Sequence, residues 1–305
     1  MTLRRSLLGG LVGAATMLIV VTGCGTTEST TTAPAATPGS APAPTPAPPG
    51  TATPARQSTP GYASGKQAIS LDVNGTPRTA LLVVPTDLSQ PAPLVFAFHG
   101  HGGTGKNFDK KMNVEGLWPQ AIVVYADGLI GHKGKTDPDG TKSGWQTLPG
   151  ESGDEDLAFY DTLLSTIQAK LPVDTDRIYA MGHSNGSGFV SLLLNRRPDA
   201  ITATANMSGQ PGKDLETDPV RSMFMSMGRT DPIVPYANQV KSVPLAEQKI
   251  GADPSKAVVD GLLKTERGRG NLELDVYDYP GGHEPPDAVA PLIVSFFQRH
   301  TLSGG

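Results

Sequence analysis

From Leu94 to Phe98 the chain is apolar at every position, with no polar residue to turn outward. A strand buried on both faces has this pattern. Ala121–Tyr125, Arg177–Met181, Ile201–Met207, Ser222–Met227 and Leu272–Tyr277 are read as further strands. Ala68–Val73 and Thr79–Val84 flank Asn74-Gly75, a strong hairpin signal. Between the strands, the spacing predicts helices over Asp156–Lys170, Ser187–Arg196, Ala257–Thr265 and Asp287–Arg299. Acidic residues at Asp154 and Asp156 suit the start of the first helix, and Pro172 closes it. Strands alternating with helices predict an α/β domain whose mostly parallel sheet has helices on both faces. Chemistry on such sheets gathers at the carboxyl ends of the strands. The loops after Phe98, Met181, Met227 and Tyr277 are therefore the ones to read for function.

The first sixty residues obey a different pattern. Two arginines in Met1–Arg5 precede an apolar run, Leu7–Val21, that ends in small residues before Cys24. The run is short and broken by glycine, which suits a signal peptide over residues 1–23 better than a membrane span. Its end resembles a bacterial lipoprotein box, which implies lipidation of Cys24 and a membrane attachment through that anchor. Residues 24–61 then collapse to Thr, Ala, Pro, Ser and Gly, a composition that buries no core and favours an extended tether. The catalytic domain is expected over residues 62–302, outside the cell or in its envelope. A single Cys excludes an internal disulfide, and a net charge of −4 gives no broad footprint for nucleic acid.

The loop after Met181 reads Gly182-His183-Ser184-Asn185-Gly186, between a strand and a helix. This G-x-S-x-G context is what a nucleophile elbow needs: a tight turn that lifts the serine hydroxyl above the sheet. A serine needs a base and an acid to orient that base, and they follow in the order acid, then histidine. Asp231 lies after the strand ending at Met227. His283 lies on a glycine-rich turn after the last strand, whereas His300, at the end of the terminal helix, has a structural explanation. Glu284, Asp278 and Asp275 are the alternative acids should Asp231 only cap a turn. Oxyanion donors are expected from the backbone N–H of Asn185 and from the turn His99-Gly100-His101-Gly102-Gly103, at His101 or Gly102.

Other motifs carry weaker chemistry. Gly100–Lys106 fits G-x-x-x-x-G-K, but Asn107 stands where a nucleotide-binding loop needs Ser or Thr, so no nucleotide is expected. His99 and His101 have no third metal ligand nearby, and no metal or cofactor is expected. Asp137-Pro138-Asp139-Gly140 reads as a turn, with no glutamate placed to complete a calcium loop. The polar segment Gly128–Gly153 carries Trp145, which as an exposed aromatic either stacks on substrate or pins the loop. Trp145 and Tyr236 are the candidate substrate contacts.

The domain from about Leu81 onward resembles the esterase family of feruloyl esterases and polyhydroxybutyrate depolymerases, within the α/β-hydrolase fold. Leu94–Gly103, Asp156–Phe159, Asp176–Gly186, Gly228–Tyr236 and Gly281–His283 carry the resemblance. It implies Ser184, Asp231 and His283 as the triad, acting through an acyl-enzyme on feruloyl, acyl or polyhydroxyalkanoate-type esters. Many members have His where Met227 stands and Leu or Phe where His183 stands, departures that bear on substrate more than on chemistry. The Met207–Arg221 segment is too short for a large cap domain, which favours bulky or polymeric esters. A serine peptidase on the same fold and a non-catalytic envelope-binding lipoprotein are the competing readings.

Overall fold

The computed structural model describes residues 61–133, 137–209 and 220–302. The expected signal peptide, Cys24 and the tether up to residue 60 lie outside the described residues, as does most of the stretch between Met207 and Arg221. The described chain enters through the hairpin of β1 (Gly65–Val73) and β2 (Thr76–Val84), paired antiparallel. Asn74 and Gly75 both take positive φ, 53° and 85°, as a hairpin turn whose twist matches the strands requires.

β3 (Ala92–Phe98) follows and is buried along its whole length. Its side chains alternate between two cores: Leu94, Phe96 and Phe98 in one, Val95 and Ala97 in the other. After α1 (Gly105–Met112) and α2 (Val114–Leu117) come β4 (Ile122–Ala126) and a small two-stranded ribbon, β5 (Leu129–Ile130) with β6 (Ser143–Gly144). Then α3 (Glu155–Lys170), β7 (Val173–His183), α4 (Asn185–Arg196), β8 (Ala203–Met207) and β9 (Ser222–Gly228) alternate. The chain continues through α5 (Tyr236–Gln239), α6 (Ser242–Ile250), β10 (Val258–Asp260), β11 (Leu263–Arg267), β12 (Glu273–Tyr279) and α7 (Val289–Gln298).

Among the described residues these strands form one ten-stranded sheet in the order β1-β2-β4-β3-β7-β8-β9-β12-β11-β10. Its middle, from β4 to β12, is parallel throughout, and only the two margins are antiparallel. Leu157, Tyr160 and Leu163 of α3 and Phe189 of α4 cover the core of Phe96 and Phe98. Phe108, Met112 and Phe297, from α1 and α7, cover the opposite face. Phe224 of β9 faces α7, while its neighbours Met223 and Met225 face α6. No helix among the described residues is long and apolar enough to cross a membrane.

One expected helix is overturned. Ala257–Thr265 forms β10, a turn, and the first part of β11. The apolar residues there pass for a helical stripe. However, Val258 and Val259 are β-branched, and Asp260-Gly261 is itself a turn signal, with Gly261 at φ 59°. Pairing with β12, Thr265 opposite Asp275, takes the segment into the sheet. The helix of this region lies earlier, at α6, where Pro244 is tolerated because it falls in the first turn.

Candidate active site

Ser184 stands alone between the last residue of β7 and the first of α4, at φ 54° and ψ −115°. Positive φ is costly for a residue with a Cβ and persists only where its surroundings fix it. Here the Ser184 N–H donates to the Met207 carbonyl at 2.8 Å, and the Ser184 carbonyl accepts the Ser187 N–H at 3.0 Å. The turn is so tight that a Cβ on Gly182 would overlap the Gly186 carbonyl, and one on Gly186 the carbonyl of Phe98. Both glycines of the motif are thus demanded by backbone approach.

His283 reaches the same cleft from the loop after β12. Its Nδ1 lies 2.8 Å from Oδ2 of Asp231, on the loop after β9. A carboxylate only accepts, so Nδ1 carries the proton and Nε2 keeps its lone pair on the side away from Asp231. Asp231 is held from every side. Oδ1 accepts the N–H groups of Ile233 (2.8 Å) and Val234 (2.9 Å), and Oδ2 also accepts Nε2 of Gln239 at 2.9 Å. Burial pushes the Asp231 carboxyl up, but its bond to His283 and the two backbone N–H groups outweigh this and leave it below the usual range. The alternative acids are elsewhere. Asp278 binds Arg229 and Tyr236, Asp275 binds Thr265 and Arg299, and Glu284 is exposed.

The turn after β3 faces Ser184 across the cleft. The N–H of Gly102 donates to the Ser143 carbonyl at 2.7 Å, so it is engaged and does not serve as the alternative oxyanion donor. No backbone hydrogen bond among the described residues takes the N–H of His101. The N–H of Asn185, in the first turn of α4, has no partner within the helix. The rings of this turn are committed. His99 Nε2 accepts the Gly128 N–H at 3.0 Å while Nδ1 donates to the Gly100 carbonyl at 2.8 Å. His101 Nε2 lies 3.0 Å from Asp137 Oδ2. Asp137 also accepts the N–H groups of Thr141 and Lys142, which hold its carboxyl far below the usual range.

Ser184, His101 and Ile233 stand where two open clefts meet, of about 420 and 490 Å³. The first runs past Lys111, Lys142 and His283; the second runs past His132, Glu151 and Asn185.

No family model matches the chain. Over 222 residues it is 27% identical to feruloyl esterase C of Emericella nidulans, covering 70% of this chain and 77% of that one. The acetyl xylan esterase of Aspergillus awamori superposes with a TM-score of 0.58 over 76% of this chain and 99% of its own, at 15% identity. A ferulic acid esterase from Anaeromyces mucronatus does so at 0.53 over 78% and 91%, also at 15% identity. The chain has the α/β-hydrolase fold of these enzymes.

Of the two expected substrate contacts, Trp145 borders the second cleft from beneath and Tyr236 lies outside both clefts. Trp145 is 1% exposed. Its ring is stacked on Phe189 and edge-on to Phe98, and Nε1 donates to the His99 carbonyl at 2.9 Å, so it pins the loop and, although it borders the second cleft, leaves almost no ring surface open for stacking. Tyr236 lines a separate groove with Met227 and Val276, and its hydroxyl donates to Asp278. Sequence reasoning missed three residues of the candidate site: Gln239 on Asp231, Asp137 on His101, and His183, whose Nε2 donates to the His283 carbonyl. The spacing of Asp231 from Ile233 and Val234 is a readable signal of an acid that folds its own loop. No motif marks Gln239, although it lies only eight residues beyond Asp231, at the end of the short helix that follows the same loop.

Proposed function

We propose that this protein is a serine carboxylic-ester hydrolase in which Ser184 is the nucleophile, His283 the general base and Asp231 the group that orients it. The observation that carries the reading is the 2.8 Å bond from His283 Nδ1 to Asp231, in the cleft that Ser184 enters at positive φ. His283 Nε2 takes the Ser184 proton as the hydroxyl attacks the ester carbonyl, then returns it to the leaving alcohol. The resulting acyl-enzyme is hydrolysed by water deprotonated at the same nitrogen. Asp231, kept ionised, holds the tautomer and stabilises the imidazolium. The N–H groups of His101 and Asn185 take the oxyanion, with the start of α4 favouring the negative charge.

For substrate, the reading is feruloyl or other acyl esters of a bulky or polymeric alcohol. Two open clefts meeting at Ser184 leave room for an acyl group on one side and a long alcohol on the other. The feruloyl esterase relative supports the acyl class. The leader ending at Cys24 supports export and lipid anchoring, with residues 24–61 holding the domain away from the membrane.

Hydrolysis of p-nitrophenyl acyl esters by wild type and Ser184→Ala tests the chemistry. A loss on the order of 10⁶ in kcat is expected, and undiminished turnover in the variant discards the mechanism. Asp231→Asn is expected to cost about 10⁴. Methyl ferulate, acetylated sugars, polyhydroxybutyrate and a peptide amide, offered to the purified protein, sort the substrate classes. Retention of Cys24→Ala in the membrane fraction would remove the anchor from the proposal.

A further inference from the structure

The loop that carries His283 begins Pro280-Gly281-Gly282, and its two glycines impose little on the backbone by themselves. Three successive carbonyls of this loop are nevertheless each caught by a different donor. The Gly281 carbonyl accepts the Thr230 N–H and the Gly282 carbonyl accepts the Tyr279 hydroxyl, both at 3.0 Å. The carbonyl of His283 itself lies 3.0 Å from Nε2 of His183, the residue immediately before Ser184. A carbonyl cannot donate, so His183 carries its proton on Nε2 and its Nδ1 is a bare acceptor.

The His183 ring is also fixed from behind. A Cβ on Gly100 would come within 2.9 Å of His183 Nδ1, so the ring is wedged against the turn that carries the His101 N–H. Its centroid lies 4.8 Å from that of His283. We infer that His183 is a positioning residue: a strut that sets the backbone of His283 at a fixed distance from the oxyanion turn. The inference rests on the triad reading above. It explains how a glycine-led loop presents a base with the precision that attack requires, since small displacements of a reacting group are costly.

The chemistry of the strut fits its place. His183 is 7% exposed, and burial holds its imidazole below the usual histidine range. The charged and titratable groups facing it are His283, Glu284 and Asp231. A neutral ring keeps the Nε2–H donor while adding no second cation beside His283 when that residue becomes an imidazolium.

The test compares His183→Gln, His183→Asn and His183→Leu in the full chain, by steady-state hydrolysis of p-nitrophenyl acetate and by urea unfolding. The Gln amide spans about the reach of Nε2 and keeps the donor; Asn is too short, and Leu fills space without donating. The Gln variant is expected within about threefold of wild type in kcat. Asn and Leu are expected to fall roughly 10- to 100-fold in kcat, with KM within about twofold. Should Leu fail to fold, the order Gln above Asn still decides the matter. Equal impairment of Gln and Asn, or wild-type kcat in Leu, overturns the strut. Neither result bears on Ser184→Ala, whose outcome decides the triad separately.

Discussion

The side-chain amide of Asn185 clasps the backbone of Trp145 from both directions: Oδ1 accepts the Trp145 N–H at 2.8 Å and Nδ2 donates to its carbonyl at 2.9 Å. The residue after Ser184 thereby anchors the loop around Trp145 from the other side of the cleft. Removing the amide leaves two backbone groups unpaired at the base of a cleft. Asn185→Ala is expected to lower stability by about 1–3 kcal/mol, the worth of two hydrogen bonds of this kind. The proposed oxyanion donor at this position is main chain and survives the change, so kcat is expected to fall by less than about tenfold. Urea unfolding beside steady-state kinetics checks both, and a loss confined to kcat contradicts the clasp.

Trp145 offers a sharper separation of packing from binding. Its ring fills a site between Phe98, His99 and Phe189. Trp145→Phe keeps the aromatic contact and loses the bond to the His99 carbonyl, for about 1 kcal/mol. Trp145→Ala opens a cavity and is expected to cost about 3–5 kcal/mol. Because the ring faces inward, KM for methyl ferulate is expected to stay within twofold in the Phe variant. A large KM rise there would return Trp145 to the role of a substrate platform.

The pattern that made the sheet legible is the one that physics writes most plainly: Leu94–Phe98 and its parallel neighbours are apolar on both faces and so read as buried strands. The elbow was equally legible, because Gly182 and Gly186 answer to backbone clashes within a five-residue turn. Ala257–Thr265 was misread where two local signals conflicted, an apolar stripe against β-branched residues and an Asp-Gly turn. Partnership with β12, fixed by tertiary structure, decided between them. The commitment of the Gly102 N–H and the burial of Trp145 were illegible for one shared reason. Both depend on how the segment 128–153 folds back over the turn after β3, and its polar, glycine-rich sequence has no periodicity to reveal that.

That fold-back is anchored at Asp156, which is fully buried. Its Oδ1 pairs with Arg78 at 2.7 Å, and its Oδ2 accepts the Gln146 N–H at 2.7 Å and lies 3.1 Å from His132 Nε2. Burial pushes this carboxyl up, but His132, Arg78 and the Gln146 N–H together hold it below its ordinary value. Asp156→Ala strands the Arg78 guanidinium in the core and is expected to cost about 3–5 kcal/mol. A depressed carboxylate stabilises above its unfolded value near 3.9 and loses that contribution as pH falls through its folded one. The gap between wild type and variant is thus expected to be full at pH 6 and to close in strong acid. Chemical denaturation across that range measures it.

The buried histidines act at higher pH. Burial holds His99, His183 and His300 below the usual histidine range. In the unfolded chain they take up protons near pH 6.5, whereas in the fold they resist, so unfolding binds protons and stability falls as pH drops below about 6.5. Each contributes a slope of at most about 1.4 kcal/mol per pH unit, levelling off below its folded value. His300 is remote from Ser184 and bonds the Phe296 carbonyl through Nδ1. His300→Gln is expected to flatten the stability profile between pH 6.5 and 5 while leaving kcat unchanged. An unaltered slope would mean that His300 titrates normally in the fold.

Gln239 tests how far Asp231 depends on its neutral neighbours. Oδ2 of Asp231 is shared between His283 Nδ1 and Gln239 Nε2, which also donates to the Val234 carbonyl at 2.6 Å. Gln239→Leu removes one donor and leaves His283, Ile233 and Val234 in place, so a loss of about tenfold or less in kcat is expected. Gln239→Glu is the harsher change despite its shape. It sets a second carboxylate against the first, where both cannot stay ionised without cost, and one of them is driven toward holding a proton. A protonated Asp231, or a charge pulling His283 Nδ1 toward a new partner, disables the base. The Glu variant is therefore expected to be far less active than Leu at pH 6, with part of the difference recovered by Gln239→Asn, which keeps the site neutral. Rate against pH for the three variants reads this directly. If Glu matches Leu throughout, Gln239 fills space beside Asp231 without governing its charge.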